Sequence, residues 1–225
     1  LCLQNPGDEV ADVTVNYMLG PGQGQASARN YAVPAHSRLT VNVNSDVGPG
    51  KDVSIQCTST KPVVSERPMY FDYSGVGGHS WKGGHTAQGV SMPGREWYLA
   101  EGCTRDGFEE WLCVQNPGDR VANVDVEYML GTGQVIRRSY AVAAWQRYTI
   151  YVNEEIGPGQ DVSIKVTADQ NIVVERPMYF NYNGVWTGGH DVVGATSPAS
   201  TFYFAEGTCR PGFDPYICLQ NPGLA

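Results

Sequence analysis

The chain of 225 residues carries 27 Gly and 14 Pro, a density of backbone punctuation that long helices and coiled coils do not tolerate. Charged residues make up 17% and hydrophobic residues 41%, so a core can be buried, and 15 Lys and Arg against 23 Asp and Glu give a net charge of -8, which leaves no basic face for nucleic acid. No apolar run approaches the ~20 residues that cross a bilayer, and Leu1 opens in mid-pattern with no basic or cleavable leader, so the chain is expected to be a soluble fragment.

Along the chain, the first clear element is the alternation of Val13, Val15, Tyr17 and Leu19 with polar neighbours, a strand with one face in a core. Gly20-Pro21-Gly22 ends it, and Gly48-Pro49-Gly50 marks another turn. Neither run carries the Gly-Lys-Ser/Thr ending of a phosphate loop. Pro177 sits inside the apolar segment from Ile172 to Tyr182, and Pro68 sits in a matching one, so these strands are expected to be edges or to bulge there, because proline cannot donate to a ladder.

The same phrases then return. Leu1-Cys2-Leu3-Gln4-Asn5-Pro6-Gly7-Asp8 reappears as Leu112-Cys113-Val114-Gln115-Asn116-Pro117-Gly118-Asp119 and, in part, as Ile217-Cys218-Leu219-Gln220-Asn221-Pro222-Gly223. Tyr17-Met18-Leu19-Gly20 matches Tyr128-Met129-Leu130-Gly131, Glu66-Arg67-Pro68-Met69-Tyr70-Phe71 matches Glu175-Arg176-Pro177-Met178-Tyr179-Phe180, and Gly83-Gly84-His85 matches Gly188-Gly189-His190. A period of roughly a hundred residues fits one whole domain per repeat. In the second copy Val124, Val126, Tyr128 and Leu130, then Tyr148, Ile150 and Val152, then Val162, Ile164 and Val166 alternate in the same way.

These patterns predict an all-β chain of two tandem immunoglobulin-like antiparallel β-sandwich repeats, with seven or eight strands each and no helix. The first repeat covers residues 1–95 and the second 96–199, and residues 200–225 hold the opening strands of a third. Copy two opens on Glu96-Trp97-Tyr98-Leu99-Ala100-Glu101-Gly102-Cys103 and copy three on Thr201-Phe202-Tyr203-Phe204-Ala205-Glu206-Gly207-Thr208-Cys209. The first repeat has no counterpart of that strand in this chain.

Cys103 with Cys113, and Cys209 with Cys218, each flank a Gly-Phe turn. That spacing suits a local disulfide loop, not a Cys-x-x-Cys metal knuckle, and points to an oxidising, extracellular compartment. Cys113 points away from the core if Leu112 and Val114 point into it, so its bridge to Cys103 would clip the opening strand from outside. Cys57 stands where the second copy has inward-facing Val166, so a bridge from Cys2 would join opposite faces. Cys57 is expected to be a buried thiol and Cys2 to be unpaired within this chain.

Chemical sites are scarce. His85 and His190 each follow Gly-Gly without the neighbours a metal ligand needs, and a hydrogen bond to a turn accounts for them. Asp8, Asp12, Asp119 and Asp125 form no spaced oxygen-ligand loop for calcium. Gly78-His79-Ser80-Trp81-Lys82 has Lys82 where a nucleophile elbow needs glycine. Glu66-Arg67, Glu175-Arg176, Glu101 and Glu206 read as charge pairs pinning adjacent strands. No catalytic residue, metal or cofactor is expected. Trp81, Trp186 and Tyr151 are the candidate platforms for sugar rings.

The phrases Trp97-Tyr98-Leu99-Ala100-Glu101-Gly102, Phe108-Glu109-Glu110-Trp111-Leu112-Cys113-Val114-Gln115-Asn116-Pro117 and Gly188-Gly189-His190-Asp191 resemble an uncharacterised tandem repeat of bacterial secreted and cell-surface proteins, close to "WYLAEGxTxxGFxxWLxLQNP". The resemblance covers essentially the whole chain. It implies export to an envelope or extracellular matrix, transfers no activity, and implies that any disulfides are an added reinforcement. The expected function is an extracellular structural repeat forming a stalk, fibre or surface layer, either as a longer covalent array or by head-to-tail strand complementation through residues 200–225. Its partners would be neighbouring repeats or copies of itself. A secreted carbohydrate-binding or adhesion module is the alternative.

Overall fold

The computed structural model describes residues 1–223. In chain order the strands are β1 (Cys2–Asn5), β2 (Ala11–Leu19), β3 (Arg29–Val33), β4 (Ser37–Thr40), β5 (Val53–Ser59), β6 (Val64–Ser74) and β7 (Ser80–Gln88) in the first repeat. The second has β8 (Gly94–Leu99), β9 (Phe108–Asn116), β10 (Ala122–Leu130), β11 (Val135–Val142), β12 (Gln146–Tyr151), β13 (Val162–Tyr182) and β14 (Trp186–Val193). All pairings are antiparallel, and the chain is an all-β sandwich protein.

The first repeat stacks the sheet β4-β1-β6-β7 on β3-β2-β5. In the second, β13 is long enough to serve both layers. Its first half lies between β10 and β8, and its second half between β9 and β14, with β11 and β12 at the outer ends. The matching stretch of the first repeat breaks into β5 and β6 because Pro62, which lacks an N–H, stands where the second repeat has Asn171.

Each repeat has its own core, and the predicted parity holds within it. Val13, Val15 and Tyr17 pack with Leu1, Leu3, Val33 and Val41. Val124, Val126, Tyr128, Ile164 and Val166 pack around Trp97, Leu112, Val114 and Ile150. Trp97 is fully buried and its indole N–H donates to the carbonyls of Gly94 and Ile172, at 3.2 and 3.1 Å.

Two local expectations are corrected. After β4 and β12 the chain turns through short helices, α1 (Val43–Val47) and α2 (Val152–Ile156), so Val152 is a buried helical residue and not the end of a strand. Both helices stop at a glycine of positive φ, Gly48 and Gly157. Pro177 lies neither on an edge nor at a bulge. It pairs with Asp191 of β14, and the register with β9 is the same on either side of Arg176 and Pro177, so the ladder skips these two residues without slipping.

The repeated Asn-Pro-Gly phrase has a structural cause. Asn116 is fully buried, and its side-chain amide donates to the carbonyls of Arg120, Val142 and Ala143 at 2.7, 2.9 and 3.1 Å while its Oδ1 accepts from the Gly118 N–H at 3.0 Å. Asn5 makes the same four bonds to Glu9, Val33, Pro34 and Gly7. One side chain thus ties the turn after β9 to the end of β11. Asn116→Ala is expected to destabilise the second repeat by about 2–3 kcal/mol, because it strands buried carbonyls without a donor; a chemical-denaturation midpoint close to that of the parent chain would contradict this.

Candidate functional site

The densest collection of buried polar and aromatic groups lies where the two repeats meet. Strands β6 and β7 run on past their own core, and the outer face of the sheet β12-β9-β13-β14 sits beneath that overhang. The overhang is called here the leading face of a repeat, and the outer sheet beneath it the trailing face of the next.

On the leading face of the first repeat, Phe71 and Tyr73 meet the ring of Tyr179 edge-on, with centroids 4.9 and 5.2 Å apart. The Tyr73 hydroxyl donates to Glu109 Oε2 at 3.2 Å. The Gln115 amide reaches back to the Ile55 carbonyl at 3.2 Å and to Met18 Sδ at 3.5 Å. Arg67 binds Asp191 and lies 3.3 Å from Glu175. The conjectured strand-pinning pair therefore pins one repeat to the next. In the second repeat Arg176 instead binds Glu101 at 3.0 Å, whose other oxygen lies 3.6 Å from His190. Burial works against ionisation of Glu101, but the His190 hydrogen bond and the Arg176 charge overcome it and hold the carboxyl at about 2.

The paired glycines make the close approach possible. A Cβ on Gly83 would lie 3.6 Å from the Gly188 Cα, and one on Gly189 would lie 2.9 Å from the Phe71 ring and 2.8 Å from that of Tyr179. The two Gly-Gly-His segments are mid-strand, in β7 and β14, so the expected turn role of the histidines is replaced by a place at the joint. His85 sits against Phe71 and Tyr179, and burial pushes its imidazole pKa down. Gly189→Ala is expected to force β14 away from Phe71 and cost about 1–3 kcal/mol of joint stability; an unchanged melting profile would count against the joint as drawn.

The sugar-platform residues fare differently. Trp81 is 0% exposed, stacked on His79 with its edge toward Glu109, so it is unavailable to a ligand. Its counterpart Trp186 is 42% exposed and stacks on Tyr182. Tyr151 is half-buried and stacks on Trp111, with ring centroids 4.4 Å apart.

All six cysteines are free thiols. The structure does not bring Cys103 and Cys113 together. Cys103 is buried beside Glu110 on the inner side of β9 and bridges to Asp161, whereas Cys113 lies on the outer side with Arg147 donating to its sulfur at 3.0 Å. A bridge needs Cβ atoms within ~4 Å, which opposite sides of a strand do not allow. Cys2 repeats the Cys113 arrangement with Arg38, Cys57 is only half-buried, and Cys209 and Cys218 are exposed. Among the described residues no cluster of His, Cys, Asp and Glu is arranged to hold a metal.

The joint occurs twice, which sequence reasoning missed. Asp214, Tyr216 and Gln220 are the third-repeat counterparts of Glu109, Trp111 and Gln115. The Tyr182 hydroxyl donates to Asp214 Oδ2 at 3.0 Å, and Gln220 reaches the Ile164 carbonyl at 3.1 Å and Met129 Sδ at 3.8 Å. Each contact is the image, one repeat along, of one made by Tyr73, Ile55 or Met18. The signal was present in the recurring Gln-Asn-Pro-Gly and Gly-Gly-His phrases, but nothing in one sequence said that they meet across a boundary.

No family model and no curated protein matches the chain. Among solved structures, the crystal structure of Thermotoga maritima 1070 aligns over 48% of this chain and 98% of its own, at 15% identity and a TM-score of 0.44. The Anabaena sensory rhodopsin transducer aligns over 38% of this chain and 97% of its own, at 22% identity and a TM-score of 0.34. At these scores neither similarity bears on what the chain does.

Proposed function

We propose that this chain is an extracellular structural repeat protein, whose sandwiches stack head to tail into a stalk, fibre or surface layer. The observation that carries the reading is the doubled joint: the leading face of the second repeat receives the third-repeat segment through the same groups by which the first repeat receives the second. A contact that repeats with one sense and uses two different faces adds units without closing a two-fold pair. The extracellular setting rests on the resemblance of its repeat phrases to those of secreted and cell-surface proteins. The reading involves no catalytic step and no cofactor.

The mechanism is mechanical. Each repeat buries its own core, and the aromatic and charged joint fixes the angle to the next. Small-angle X-ray scattering of the 225-residue chain is expected to give one two-lobed particle whose maximum dimension does not change with salt. A distribution of lengths, as from two beads on a flexible tether, would overturn the reading. A second reading, a carbohydrate-binding or adhesion module, is favoured by exposed Trp186 stacked on Tyr182. It predicts saturable binding on a glycan array that is lost in Trp186→Ala.

A further inference from the structure

We propose that Cys103 and Cys218 join in a disulfide when the protein is oxidised, a bridge that crosses from the second repeat to the third-repeat segment docked on it. This deepens the stacked-array reading and rests on its doubled joint, since the bridge would hold one repeat to the next by a covalent bond.

Contacts on either side of Cys218 fix where it lies. The Tyr182 hydroxyl donates to Asp214 and lies 2.6 Å from that of Tyr216, while Gln220 reaches the Ile164 carbonyl at 3.1 Å. Cys218 stands between Tyr216 and Gln220 at alternate positions of a segment that matches β9, so it turns to the face that its docked neighbours share. The first joint has the same placement. Cys113, two residues before Gln115, lies beside Arg67 of the first repeat, and Cys218 lies beside Arg176, the equivalent of Arg67.

Cys103 reaches the same place from within the second repeat. Leu99 of β8 pairs with Ile164, the residue that Gln220 touches. The chain then runs through Glu101, which holds Arg176, and Gly102, whose carbonyl accepts from the Val162 N–H at 3.0 Å, to Cys103, which bridges to Asp161. Asp161 is a neighbour of both sulfurs: its charge acts on Cys103 along with those of Arg105 and Glu110, and on Cys218 along with those of Glu101 and Arg176. Cys218 is exposed and residues 201–223 form no strand, so no ladder resists the inward shift that brings the Cβ atoms to the ~4 Å a bridge needs.

Oxidised glutathione is an oxidant that completes the step. The exposed Cys218 thiolate attacks one of its sulfurs and expels a glutathione thiolate, and the Cys103 thiolate then attacks Cys218 Sγ and expels the second. Two protein thiols become one disulfide, and their protons end on two reduced glutathiones. Burial pushes both protein thiols above their usual range, so the reaction runs through a minor thiolate fraction and quickens as pH rises.

The test is peptide mapping by mass spectrometry after the native 225-residue chain is treated with oxidised glutathione and its remaining thiols are blocked with iodoacetamide. The expected product has lost two of its six free thiols to one bridge, Cys103 to Cys218. Gln220→Ala loosens the docked segment without removing a cysteine and is expected to slow the bridge several-fold; an unchanged rate would show that docking does not bring the thiols together and would sink the proposal. A native product that pairs Cys209 with Cys218, or that carries glutathione on Cys218 with Cys103 still reduced, would overturn it as well. If the bridge fails while scattering still gives one particle of fixed dimension, the stacked joint stands and the bridge alone falls.

Discussion

Arg67→Ala is expected to uncouple the two repeats, so that one melting transition becomes two in a calorimetric scan. Arg67 comes from β6 of the first repeat, and its two acidic partners come from β13 and β14 of the second. The Asp191 side chain is almost wholly buried, and Glu175 is about three-quarters covered. Removing one side of such a cluster leaves the other charge desolvated and unpaired, which costs about 3 kcal/mol. Burial already pushes the Glu175 pKa up, and the Arg67 charge acts against that rise. The alanine variant should therefore hold Glu175 protonated to a still higher pH. Arg67→Lys keeps the charge but loses the fork that spans two carboxylates, so it should fall between the parent and alanine. A single unshifted transition in Arg67→Ala would show that the aromatic contacts alone couple the repeats.

Glu110→Gln is expected to remove most of the pH dependence of the second repeat between mildly acidic and mildly basic solution. Glu110 is fully buried behind Gly102, and burial pushes its carboxyl up to about 8, with the Arg176 charge and the Cys103 backbone N–H opposing the rise. In the unfolded chain the same carboxyl ionises near its ordinary value of 4.5. Between those values the folded state binds more protons than the unfolded one, so stability is full below about 4.5 and is lost as pH rises toward 8. The loss is on the order of 3–5 kcal/mol. Glu175, raised by burial as well, adds in the same direction and leaves a residual slope. Glu101 acts oppositely: held at about 2, it contributes stability above its ordinary value of 4.5 that is lost as pH falls. Thermal melts across this range should therefore show a maximum in mildly acidic buffer for the parent and a flatter alkaline limb for Glu110→Gln. An equal slope in both proteins would assign the proton to another group.

Strand parity, turn positions and the repeat itself were legible in the sequence, because a strand half in a core alternates with period two whatever its distant neighbours are. Val13, Val15 and Tyr17, and again Val124, Val126 and Tyr128, report burial against their own sheet, and Asn5 and Asn116 report a local turn. Single positions within an element were harder. Pro62 splits one strand where Asn171 keeps its counterpart whole, and the short helices before Gly48 and Gly157 carry too few residues to show a period.

The joint was decided by tertiary structure alone. Trp81 and Trp186 occupy the same place in the repeat, yet the first is 0% and the second 42% exposed. Tyr70 and Tyr179 are likewise equivalent, at 86% and 9%. In both pairs the buried member is the one covered by the neighbouring repeat. A residue's pattern along the chain records the face it presents to its own core, and both members of each pair share that pattern. What covers the other face depends on where the next repeat lies, which is set by the glycine-lined approach of β7 to β14 and the Arg67 ion pairs. The same reason misled the reading of the cysteines: parity placed Cys113 on the outer side of β9, but only the path of the chain around Glu110 placed Cys103 on the inner one.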